Sequence, residues 1–88
     1  MKKIIKRDGR KVNFDESKIY NAIFDAFDSC EKGDKKIVET ITDEVVANID
    51  NEFKNSIPFV EDVQDAIEKI LIAHNQADVA KAFILYRY

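Results

Sequence analysis

The sequence predicts an α+β fold that is mostly α, with an N-terminal two-stranded β-hairpin packed on a four-helix bundle. Three observations predict it. Residues on either side of Asp8-Gly9 alternate in polarity, and four later segments repeat apolar residues at spacings of three and four. Two glycines and one proline in 88 residues also leave little material for a loop-rich fold. At this length the chain forms one domain over residues 1–88, which buries about 60% of its unfolded surface.

The hairpin comes first. Asp8-Gly9 between alternating runs is the strongest short-range hairpin signal, and a type I′ turn there requires positive φ at both central residues. Strands are expected near 3–7 and 10–14, and so small a ribbon must lie on something to be stable.

Asp15 or Ser17 can cap the first helix, near 16–30, where Ile19, Ala22, Ile23, Ala26, Phe27 and Cys30 form one apolar face. Glu31-Lys32-Gly33-Asp34 is a short connector with a glycine stop and an aspartate start. Val38, Ile41, Val45, Ile49 and Phe53, widened by Ile37 and Val46, predict the longest helix near 35–53. Pro58 lacks a donor and forces Ile57 out of the helical region, which separates a third helix carrying Val60, Val63, Ala66, Ile67, Ile70 and Leu71. His74-Asn75-Gln76 precedes the last helix, with Ala77, Ala80, Phe83, Ile84 and Arg87, where small alanines favour close packing.

Charge is unevenly distributed. Residues 1–14 hold Lys2, Lys3, Lys6, Arg7, Arg10 and Lys11 against Asp8, a net of +5, whereas the remainder holds eight positive and sixteen negative charges, a net of −8. A cationic end on an acidic domain attracts a compact polyanion, while a long nucleic acid meets repulsion from the rest of the surface. A nucleoside triphosphate suits that balance. No apolar run approaches the ~20 residues that cross a bilayer, no signal-peptide pattern follows the basic start, and the chain reads as cytoplasmic. Cys30 stands alone and far from His74, so neither a disulfide nor zinc-ligand spacing is present; Cys30 reads as a small apolar residue and His74 as a capping or surface residue.

No glycine-rich phosphate loop and no Ser/His or Cys/His pair points to catalysis. Asp43-Glu44 and Glu61-Asp62 read as solvated helix faces. Lys6, Arg7 and Lys18 are different, because the last lies in the first turn of a helix whose free N–H groups favour an anion. Arginine brings a forked donor and lysine a mobile point charge. Ile4, Phe14 and Ile19 would supply an apolar slot for a base. The same charges would also serve simply to keep an exposed hairpin soluble and unpaired at its edges.

The pattern Ile4-x-Lys6-Arg7-Asp8-Gly9-x-Lys11-Val12-x-Phe14-x-x-x-Lys18-Ile19-x-x-Ala22-Ile23 resembles the opening of the ATP-cone, the nucleotide-sensing module at the N-terminus of many ribonucleotide reductases. Glu61-Asp62-Val63-Gln64-Asp65-Ala66-Ile67-Glu68 resembles its third helix, and Val79-Ala80-Lys81-Ala82-Phe83-Ile84-Leu85-Tyr86-Arg87 its closing helix. The resemblance covers essentially the whole chain. It implies a regulatory site with no catalytic step, where ATP signals activity and dATP inhibition, with magnesium accompanying the nucleotide. It further implies Lys6, Arg7 and Lys18 at the phosphates, Ile4, Phe14 and Ile19 around the base, Val60 and Gln64 at base or sugar, and Arg87 reaching phosphate.

Two positions depart from the family. Val60 stands where many cones have threonine, and Asp15 where some have asparagine; a carboxylate there repels phosphate unless it meets ribose hydroxyls or magnesium. The Lys-Arg-Asp-Gly-x-Lys-Val spacing and the Ala-Phe-Ile-Leu-Tyr-Arg ending are most similar to the anaerobic, glycyl-radical reductases, with an aerobic class as the alternative host. The implied partners are ATP or dATP, a reductase catalytic domain and a second cone. A cone also occurs in a bacterial repressor of reductase genes, behind a cysteine-rich zinc ribbon that is not expected ahead of Met1-Lys2-Lys3. The ending just after Tyr86-Arg87-Tyr88 predicts an isolated regulatory domain. Two alternatives from other classes are a nucleic-acid module using the basic hairpin in a groove, and a self-association module built on Phe53, Ile57, Phe59 and Tyr88.

Overall fold

A computed structural model describes residues 3–86. The order of elements is β1 (Lys3–Ile5), β2 (Lys11–Asn13), α1 (Glu16–Ser29), α2 (Lys35–Glu52), α3 (Val60–Ala73) and α4 (Ala77–Tyr86). The hairpin on four helices is thus as expected, with α2 the longest helix. The strands are shorter than 3–7 and 10–14.

β1 and β2 pair antiparallel, Lys3 opposite Asn13, Ile4 opposite Val12 and Ile5 opposite Lys11. Their turn is not type I′. Gly9 donates to the Lys6 carbonyl at 2.9 Å, and of the turn residues only Gly9 has positive φ, at 86°. This is a three-residue loop with glycine in the bulge position, so Asp8 keeps ordinary backbone angles. Its carboxylate accepts from the Arg10 amide at 3.1 Å and from the Arg10 side chain, and that bonding, the backbone donor first, holds its pKa below the usual carboxylate value.

The ribbon is tied to the bundle by its edge. The Ile5 amide donates to the Pro58 carbonyl at 2.9 Å, a parallel bridge between Ile5 and Phe59. Pro58 supplies this acceptor while buried and unable to continue a helix, so the residue that ends the α2–α3 connection also fastens β1.

Asp15, not Ser17, caps α1, accepting from the Ser17 amide at 3.0 Å. Asp34 caps α2 through the Ile37 amide at 2.9 Å. The Phe59 amide donates to Asp62 at 2.8 Å at the start of α3. The expected glycine stop after α1 lies elsewhere: Glu31 takes the left-handed position with φ 56°, its amide bonding Asp28 and the Lys32 amide bonding Phe27. Asn75, with φ 60°, ends α3 the same way, through its own amide to Ile72 and the Gln76 amide to Leu71.

Each helix packs on its neighbours in the chain, and α1 on α4 closes the bundle. Ile23, Ala26, Val38, Ile41, Val45, Ile49, Leu71 and Val79 are fully excluded from water, each large aliphatic among them contributing about 1.5–3 kcal/mol relative to exposure. Ile4 and Phe14 pack half-buried on this core, as does Phe53. Of the surface expected for self-association, Phe53 and Ile57 are half-buried and Phe59 is exposed, while Tyr88 lies outside the described residues. Among the described residues no helix is long and apolar enough to cross a membrane.

Candidate functional site

A cleft of about 240 Å³ opens between the hairpin, the start of α1 and the N-terminal half of α3. Seven of the nine residues expected at a nucleotide site line it: Ile4 and Lys6 of the hairpin, Phe14, Lys18 and Ile19 at and just before the first helix, and Val60 and Gln64 of α3. Lys6 follows β1 directly and keeps the ribbon paired through its amide bond to the Arg10 carbonyl at 2.9 Å, so it shares a face with Ile4, two residues before it. Lys18 and Ile19 follow from the Asp15 cap, which starts α1 so that Ile19 turns into the core at 5% exposure while Lys18 stays exposed beside it.

One expected residue, Arg7, is not on the wall of this cleft. Arg7 lies one position beyond Lys6, at the turn, and lines a more open hollow with Lys6, Asp8 and Val60. Its Nε is 3.1 Å from Oε1 of Glu61. Arg87 is outside the described residues.

Several lining residues were not in the expected set. Val12, Asn13, Asp15, Ala22, Val63, Ile67 and Phe83 complete the cleft. Val63, Ile67 and Phe83 belong to the apolar stripes of α3 and α4, so periodicity marks them as inward-facing but does not distinguish bundle core from cleft floor. Glu61 and Asp62, read as a solvated helix face, are half-buried, with Glu61 paired to Arg7 and Asp62 capping α3. Glu44 likewise meets Nε2 of His74 at 3.0 Å, linking α2 to the C-cap of α3.

The electrostatics of the cleft are divided. Lys6 and Lys18 are its cations and Asp15 its carboxylate. Asp15 accepts from the Ser17 hydroxyl at 2.6 Å and the Ser17 amide at 3.0 Å through the same oxygen, Oδ1. These bonds, the hydroxyl first, and the nearby Lys18 charge lower its pKa, so it is ionised at neutral pH. The Lys18 amide donates to the Asp15 carbonyl at 3.1 Å. The Ser17 and Lys18 amides, expected to face an anion, therefore bond Asp15 instead.

The floor carries one unmet polar group. Oε1 of Gln64 is buried and accepts no hydrogen bond among the described residues. A buried acceptor left in this state costs about 1–3 kcal/mol, and a ligand donor entering the cleft would satisfy it.

Comparison with known proteins identifies the family. The profile of the ATP cone domain matches residues 2–88. The chain is 38% identical over 92 residues to a vitamin B12-dependent ribonucleoside-diphosphate reductase of Thermoplasma acidophilum, covering 99% of this chain and 12% of the relative. It is 35% identical over 89 residues to the ribonucleoside-diphosphate reductase subunit alpha of Treponema pallidum, covering 96% of this chain and 10% of the relative. The protein of the same name in Chlamydia trachomatis is 30% identical over 94 residues, covering 96% and 9%. The chain thus spans about a tenth of the length of these curated relatives. With a cationic hairpin over four helices and a cleft where the two meet, matched across residues 2–88, the chain belongs to the ATP cone domain family.

Proposed function

We propose that this domain is an allosteric sensor that binds ATP and dATP in the hairpin–helix cleft and controls the activity and assembly of a cytoplasmic ribonucleotide reductase. The observation that carries the reading is the convergence of Ile4, Lys6, Phe14, Lys18, Ile19, Val60 and Gln64 on one cleft. Lys6 and Lys18 neutralise the phosphates, the apolar walls take the base, and Gln64 meets a base edge with an amide that both donates and accepts. That amide suits adenine, whose edge pairs a ring acceptor with an amino donor. Magnesium carried by the triphosphate would find one carboxylate on the cleft wall, Asp15.

The relatives carry diphosphate-reductase names, one of them B12-dependent, which favours a host of that kind over the anaerobic class expected from the hairpin motif. Signalling requires the two effectors to favour different assembly states, because an effector with equal affinity for both shifts nothing. The readout then passes through contacts with the catalytic region or a second cone.

Calorimetry with ATP and dATP tests the site. Lys6→Ala and Lys18→Ala should each lose a charge-assisted contact worth about 1.5–3 kcal/mol, at least ~10-fold in affinity. Unchanged binding in the double variant would remove the cleft from the mechanism.

A further inference from the structure

We propose that Asp15 reads the sugar of the bound nucleotide, its Oδ2 accepting ribose hydroxyls and so weighting the site toward the ribonucleotide over the deoxyribonucleotide. The inference rests on the reading of the cleft as a nucleoside-triphosphate site. Asp15 lines that cleft together with Lys6 and Lys18. Both Ser17 bonds to its side chain fall on Oδ1, which fixes the carboxylate and leaves Oδ2 without a hydrogen-bond partner among the described residues.

An ionised carboxylate can only accept. Phosphate oxygens offer it nothing and repel it, and the one donor of the adenine edge, its amino group, is taken by Gln64 in the proposed site. Hydroxyls do, and the bond from a hydroxyl to a carboxylate is charge-assisted. A ribose brings two vicinal hydroxyls to this one oxygen and a deoxyribose brings one.

The position is also fixed in advance. Asp15 is the N-cap of α1, and Lys18 follows it by three residues, so the sugar acceptor and a phosphate donor are held on one helical turn. The sugar then lies between the triphosphate at the lysines and the base over Ile4, Ile19 and Gln64.

The test compares ATP and dATP affinities for the chain and for Asp15→Ser and Asp15→Asn, all of which keep a capping side chain. Asp15→Ser, too short to reach the sugar, should move the ATP-to-dATP affinity ratio toward dATP by at least about 10-fold, the worth of one hydrogen bond to a charged group. Asp15→Asn, with a neutral amide in place of the carboxylate, should move it in the same direction by less. Titrations with magnesium and with a chelator separate the sugar from the metal. A shift that persists without magnesium supports the inference, and one that requires magnesium assigns Asp15 to the ion and overturns it. Binding of both nucleotides with an unaltered ratio overturns the inference and spares the cleft; no binding to the unmodified chain overturns both.

Discussion

Nε of Arg7, at the tip of the hairpin, lies 3.1 Å from Oε1 of Glu61 in the first turn of α3, with both side chains about half exposed. The pair spans the two structures that flank the cleft, and it engages the arginine that the family resemblance assigns to phosphate. A nucleotide that recruits Arg7 must compete with Glu61 for the guanidinium.

Glu61→Gln should therefore strengthen ATP binding by about 3- to 10-fold, while the folding free energy changes by less than about 1 kcal/mol, as expected of a solvent-exposed pair. Calorimetry and urea denaturation measure the two effects. The gain should disappear in an Arg7→Ala background. If it survives there, Glu61 acts only through its charge near the cleft and not by holding Arg7.

The two glycines should respond differently to alanine. Gly33 has φ 106°, and a Cβ there would sit 2.7 Å from Cβ of buried Phe27. Gly9 has φ 86° but faces open space. Gly9→Ala is expected to cost about 1 kcal/mol from backbone strain alone, and Gly33→Ala about 3 kcal/mol because Phe27 must also move. Chemical denaturation midpoints rank them, and equal losses would mean that Phe27 yields without cost.

Acid should loosen the domain through its exposed carboxylates. The pKa of Asp78 is lowered by the bond from the Lys32 side chain, at 2.9 Å and 3.0 Å to its two oxygens, with a further contribution from the Val79 amide. Asp8 and Asp15 are lowered by their own hydrogen bonds. Because these folded-state values lie below the ordinary 3.8, their stabilisation is complete above that pH and is lost as the pH falls through the folded values. Thermal midpoints followed by circular dichroism should drop below about pH 4. Asp78→Asn should begin lower at neutral pH and fall less, approaching the unmodified chain in acid; parallel curves would take Asp78 out of the acid response.

Much of this was legible in the residues. Helix positions followed from apolar spacing, because a helix that buries one stripe must repeat it every three or four residues, and the Asp34 cap followed from a side chain suited to accept an amide bond, whereas the choice of Asp15 over Ser17 was made by the structure. The turn was misread because Asp-Gly serves both two-residue and three-residue loops, and the choice depends on strand register. The helix stop was misplaced because Glu31 adopts the left-handed conformation usually left to glycine, while Gly33 is needed where the chain passes against Phe27.

The sequence by itself determined the elements, the core stripes and the cationic hairpin, since periodicity and charge are properties of the linear chain. Only the tertiary structure decided which of those charges meet. The hydrogen bond from Ile5 to Pro58 sets the ribbon against α3, placing Lys6 in the cleft and Arg7 beside Glu61 although the two are adjacent in the chain. Lys6 still pairs with Arg10 while Arg7 has entered the turn, and which side of the ribbon faces the bundle is settled by long-range packing that no local pattern encodes.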